Sequence, residues 1–214
     1  MTIIALVNQK GGCGKSTTAV HFAFYLRRFG SVALIDADAQ QSSSRWVQSI
    51  EEENEIPSIA VLDPEELFET IEKQSQQYDY LVIDGPGSLS EVTKTILDCT
   101  DLALMPCQPS GLDLSSSGAF LRIVLHRQKI RRGFPQAGLF LSRAVKGTIL
   151  LRDAQQALQA DKRFPLLKTV VYQRQCLADA SIQKSTVFDL SGSAAKAAVS
   201  DYKSLFKEAL ELLG

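Results

Sequence analysis

The chain has 214 residues, 45% of them apolar and 22% charged, enough to bury a core and to exclude a disordered or fibrous protein. Apolar runs such as Ile3-Ile4-Ala5-Leu6-Val7 fall far short of the ~20 residues a membrane span needs, and Met1 leads at once into a strand-like run with no room for an export leader, so a cytoplasmic protein is expected. The formal charge of −1 conceals a division: residues 1–113 carry 7 basic against 17 acidic side chains and residues 114–214 carry 16 against 7, an asymmetry that either marks an anionic partner for the second half or reflects solvated helix faces.

Runs of apolar, β-branched residues bounded by turn signals predict strands at 2–8, 31–36, 58–62, 80–84, 102–106, 138–141 and 167–171. Amphipathic stretches predict helices at 15–29, 41–52, 64–76, 90–99, 114–131, 148–161 and 194–213. No repeat or linker interrupts the alternation, so one domain over 1–214 is expected, an α/β fold with a doubly wound, mostly parallel sheet and helices on both faces. In such a sheet ligands belong at the carboxyl ends of the strands.

The segment Asn8-Gln9-Lys10-Gly11-Gly12-Cys13-Gly14-Lys15-Ser16-Thr17 follows the first strand and opens the first helix, the context of a phosphate-binding loop. Gly11, Gly12 and Gly14 let successive N–H groups curl toward a phosphate, and the helix N-terminus adds positive potential. Lys15 supplies the ammonium that reaches the terminal phosphates, Ser16 a hydroxyl for Mg²⁺ and Thr17 a further phosphate contact. Cys13 is read as a small residue where backbone approaches phosphate, without a base to activate it. The four cysteines form no C-x-x-C pair, so neither a disulfide framework nor a zinc site is expected. His21 and His126 fall in helical stretches and read as packing or surface residues.

Lys10-Gly11-Gly12-Cys13-Gly14-Lys15-Ser16 resembles the deviant Walker A motif, K-G-G-x-G-K-[ST], of the ParA/MinD family of ATPases. The resemblance implies that Lys10 acts in trans on the nucleotide of a partner subunit in an ATP-sandwich homodimer. Asp36-Ala37-Asp38-Ala39-Gln40 resembles the family's D-x-D-x-Q segment. Asp38 is then expected to orient the attacking water and Asp36 to organise lysine and metal waters, with helix capping as the alternative for both. Asp84, ending the apolar run Tyr80-Leu81-Val82-Ile83, has the Walker B arrangement for Mg²⁺, and Gly85-Pro86-Gly87 reads as a switch turn sensing the γ-phosphate. The resemblance also implies that Tyr172 and Gln173 approach adenine, and that Arg174, with Lys196 near the final helix, belongs to a nonspecific DNA surface.

Further basic residues for that surface are Arg127, Lys129, Arg131, Arg132, Lys162, Arg163, Lys168 and Lys184, doubled by two-fold symmetry. The implied function is a slow, partner-stimulated ATPase on the nucleoid that partitions a plasmid or positions an organelle such as the carboxysome through a ParB-like or McdB-like adaptor. Two rivals share the loop. A MinD-like membrane regulator would carry a basic amphipathic tail, whereas the charges in 203–214 cancel. An iron-sulfur or other metabolic enzyme would need clustered thiolates.

Overall fold

The computed structural model describes residues 1–50 and 56–214, with side-chain surroundings described outside 111–117. The strands are β1 (Thr2–Leu6), β2 (Val32–Asp36), β3 (Ser58–Ala60), β4 (Tyr80–Asp84), β5 (Leu102–Cys107), β6 (Gln136–Ala144) and β7 (Leu166–Tyr172). They form one sheet in the order β3-β2-β4-β1-β5-β6-β7, and every described pairing is parallel. β2 and β5 are buried at every position, as a parallel sheet covered on both faces requires.

Two-residue periodicity divides the core. Ile3, Ala5 and Val7 face one apolar layer, and Ile4 and Leu6 face the other. The helices are α1 (Lys15–Leu26), α2 (Ser42–Ser49), α3 (Pro64–Ser75), α4 (Glu91–Cys99), α5 (Gly111–Ile130), α6 (Ile149–Ala160), α7 (Gln175–Ile182) and α8 (Ser193–Leu210). Local chemistry starts several of them. Asp63 accepts from the Glu65 and Glu66 N–H groups at 2.9 and 3.0 Å ahead of Pro64, and Ser90 accepts from Thr93 N–H. No helix among the described residues is long and apolar enough to cross a membrane.

Three expectations need correction. α1 stops at Leu26 instead of reaching residue 29, because the Phe29 N–H turns back to the Leu26 carbonyl at 2.8 Å and leaves Phe29 exposed. The final helix yields to a 3₁₀ turn over Glu211–Leu213. α7 was not anticipated; of its eight residues only Ala180 is buried, which gives periodicity little to report. The expected helix 41–52 is α2 as far as Ser49, and residues 51 and 52 lie outside the described residues.

The chain leaves β1 in one direction to fill β2, β3 and β4 and in the other to fill β5, β6 and β7, so β1 stands at the topological switch point, where an open α/β sheet places its ligand crevice. On the far edge, β6 and β7 pair irregularly, with register shifts between Leu139 and Leu141 and between Leu141 and Ala144. There the carboxylate of Glu208 on α8 accepts from the Lys168 and Thr169 N–H groups at 2.7 and 3.3 Å and from the Thr169 hydroxyl at 2.6 Å.

Candidate functional site

The loop between β1 and α1 owes its shape to its glycines. Gly12 has φ +75° and Gly14 φ +96°, backbone that side chains rarely adopt, and a Cβ on Gly14 would stand 2.7 Å from the Ser142 hydroxyl. Asn8 braces the loop entry, donating to the Pro106 carbonyl at 2.7 Å and accepting from the Lys10 N–H at 3.2 Å. The buried Lys15 ammonium donates to the Lys10 carbonyl at 2.8 Å. The Cys13 thiol donates to that same carbonyl at 3.3 Å, a buried structural role.

Strand register supplies the carboxylates. Leu6, Asp84 and Asp36 are neighbours across β1, β4 and β2, so the two aspartates share one level at the strand ends beside the loop. Asp36 Oδ1 accepts from Asp38 N–H at 3.1 Å and Oδ2 from Ser44 N–H at 2.8 Å, which orders the segment into α2. Asp38 is partly exposed and its Oδ1 accepts from Gln40 N–H at 2.9 Å. The turn after Asp84 packs on the phosphate loop: a Cβ on Gly85 would meet the Leu6 carbonyl at 3.0 Å, and one on Gly87 the Gly11 nitrogen at 3.2 Å.

Asp84 differs from Asp36. Both of its carboxylate oxygens are buried with no hydrogen-bond partner. Burial, reinforced by the negative charge of Asp36, pushes its pKa up to about 7, although Ser16, Ser43 and Lys15 pull the other way; the two hydroxyls stand near without reaching hydrogen-bond geometry. A carboxylate desolvated and short of donors fits a cation. Among the described residues no group of three or more His, Cys, Asp or Glu side chains is placed for a metal.

A cleft of about 820 Å³ opens over the loop, within the range of ligand sites. It is lined by Gly11, Gly12, Gly14, Lys15, Ser16, Thr17, Asp38 and Gln40 and also by Tyr172, Gln173 and Arg174. Residues nominated from three distant stretches therefore meet around one space. Lys10 stands outside this lining and is partly exposed. Sequence reasoning missed Ser142 and Arg143 at the end of β6 and Tyr202 on α8, which also line the cleft. A signal existed for the first two, since Ser142-Arg143 breaks the apolar run of 137–141 at a strand's carboxyl end.

His21 has a defined packing role. The Val187 N–H donates to Nε2 at 3.1 Å, so Nδ1 carries the hydrogen and donates to the Thr17 carbonyl at 2.6 Å. The ring stacks on Tyr202, with centroids 4.7 Å apart, and is edge-on to Trp46 and Phe188. Burial lowers its pKa to about 4. The unfolded chain therefore binds a proton that the folded chain refuses between pH 6.5 and 4, and stability present above pH 6.5 falls as the pH drops through that window, by about 3 kcal/mol. Asp84, with its raised pKa, contributes the opposite slope over much of the same range, so the His21 share is read as a difference. Urea unfolding followed at Trp46 should show wild type losing more stability than His21→Asn as the pH falls from 6.5 to 4, and equal pH dependences in the two proteins would refute the assignment.

The basic surface is narrower than the sequence implied. Arg174, nominated for the DNA surface, is ion-paired with Asp201 and lies over the Tyr172 ring. Arg127 pairs with Asp98 at 3.3 Å, Arg131 donates to the Leu97 and Thr100 carbonyls at the end of α4, and Arg163 pairs with Asp161. Lys129, Arg132, Lys162, Lys168, Lys184 and Lys196 remain exposed.

Comparison with known proteins agrees with this geometry. A maintenance of carboxysome distribution protein A from Halothiobacillus neapolitanus is 27% identical over 210 residues, covering 97% of this chain and 95% of the relative. The chromosome-partitioning ATPase Soj of Thermus thermophilus is 26% identical over 211 residues, 83% of each chain. An ATP complex of a McdA variant from Cyanothece superposes with a TM-score of 0.79 over 99% of this chain and 96% of that one, at 15% identity, and so shares the fold. Residues 4–187, a span that holds the glycine loop, both strand-end aspartates and the Tyr172 wall, match the CobQ/CobB/MinD/ParA nucleotide binding domain, and the chain belongs to that family.

Proposed function

We propose that this chain is a slow ATPase that closes as an ATP-bound dimer and positions or partitions a cargo. The observation that carries the reading is that one cleft is lined by Lys15, Ser16, Thr17 and Asp38 together with Tyr172 and Gln173. The Lys15 ammonium would leave the Lys10 carbonyl for the terminal phosphates, and the loop N–H groups and Thr17 would hold the rest of the polyphosphate. Ser16 and Asp84 would hold Mg²⁺, with Asp36 steadying its surroundings; the ion, when bound, neutralises phosphate charge. Asp38 would orient the attacking water, and Tyr172 and Gln173 would face the base.

Lys10, partly exposed beside the glycine loop, would complete the site from the partner subunit. There it would stabilise charge developing on the transferred phosphoryl group. The named relatives maintain carboxysome distribution or partition chromosomes, which supports a cargo adaptor of the McdB-like or ParB-like kind. The exposed lysines and Arg132 of the second half would give nonspecific, salt-sensitive DNA binding, and hence a place on the nucleoid.

Size-exclusion chromatography with ATP and Mg²⁺ tests the core of this reading. The wild-type chain should shift from monomer to dimer, and Lys10→Ala should remain monomeric while still binding ATP. A wild-type chain that stays monomeric, or a Lys10→Ala chain that dimerises as well as wild type, would count against it.

A further inference from the structure

Two backbone carbonyls of the phosphate loop carry cations from this chain. One is the Lys10 carbonyl, which receives Lys15. The other is the Gly12 carbonyl, which receives the Arg143 guanidinium at 2.6 Å from 131 positions away. Arg143 sits in left-handed backbone, φ +54°, where residues other than glycine are uncommon and strain collects at functional sites. It follows Ser142 at the carboxyl end of β6, where pairing with β7 shifts register between Leu141 and Ala144, and such irregularities re-aim side chains beside sites. It lines the cleft together with Gly12, Gly14 and Lys15.

We infer that Arg143 is a positioning residue for the phosphate loop, acting through the Gly12 peptide. The peptide unit is planar and trans, so fixing its carbonyl also fixes the Cys13 N–H on its opposite side. Glycines at 12 and 14 let the loop reach its shape but also leave it free to abandon that shape; a charge-assisted bond from a rigid strand removes part of that freedom before a nucleotide arrives. The guanidinium also covers the negative end of a carbonyl dipole at the edge of a space meant for polyphosphate. The tether ties the β1–α1 loop to β6, a strand on the other side of β5.

This inference rests on the cleft being the ATP site, and one set of titrations separates the two claims. Fluorescent ATP and ADP analogues are titrated into wild type, Arg143→Ala and Arg143→Lys, with melting followed at Trp46. A residue that orders the loop serves both nucleotides, so Arg143→Ala should weaken ATP and ADP binding alike, by roughly ten-fold. The KM for ATP should rise by a similar factor with kcat little changed, the melting temperature should hold, and Arg143→Lys, which keeps a charged donor, should recover much of the loss. Unchanged affinities in Arg143→Ala, or a loss confined to ATP, would overturn the tether while leaving the ATP site standing. A wild-type chain that binds neither analogue would overturn both.

Discussion

Replacing Asp38 with alanine should lower ATP hydrolysis at least roughly 100-fold and leave ATP binding near the wild-type level. The Gln41 N–H bonds the Asp38 carbonyl at 2.9 Å and the Asp36 carboxylate holds the Asp38 N–H at 3.1 Å. Both bonds survive the change. What is lost is the carboxylate at the cleft and its 2.9 Å bond from Gln40 N–H, and Gln40 is exposed, so water can replace that acceptor. A chain that binds ATP without cleaving it should accumulate as the ATP dimer. Single-turnover hydrolysis beside size-exclusion chromatography reads both quantities, and a rate within about three-fold of wild type would remove Asp38 from the chemistry.

Phe206→Ala should cost about 3–5 kcal/mol of folding stability. Phe206 is fully buried, stacks on Phe22 with centroids 4.2 Å apart and planes 7° from parallel, and touches Tyr25 and Tyr202. It therefore pins α8 to α1, the helix that begins at Lys15. The cavity has rigid aromatic walls that cannot collapse into it cheaply. Urea unfolding should show the loss as a lower midpoint at constant slope, and a change below about 1 kcal/mol would mean that the rings repack. Because Tyr202 reaches the cleft from the same helix, nucleotide affinity should weaken as well.

What could be read from the residues alone was whatever lies close together in sequence. Lys10 to Thr17 is a contiguous motif between a strand and a helix, and 80–84 is a contiguous apolar run ending in Asp84; both stand where they were expected. The parallel sheet followed from alternation, and the places of Asp36 and Asp84 at strand ends from the apolar runs before them, whereas their adjacency is a matter of strand register. Properties that depend on a distant partner were hidden. Arg174 reads as a surface charge until α8 brings Asp201 to it, and Tyr202 reads as one more apolar position of the last helix until that helix packs on α1. Arg143 is legible only as a break in an apolar run, because its partner, the Gly12 carbonyl, has no signature in side chains.

The carboxylate of Glu208 on the N–H groups of β7 bears on how copies of this chain can meet. A bare outer strand is a template on which another chain can continue the sheet, the route to open-ended assemblies. Here the donors of Lys168 and Thr169 are already spent on Glu208, and the opposite outer strand, β3, offers only three residues. Growth by strand addition is discouraged at both ends. The pairing proposed above, at the rim that holds the cleft, would leave both of these edges unused. With no edge inviting a further strand, such a two-fold pair would be a closed assembly and not the start of a fibre.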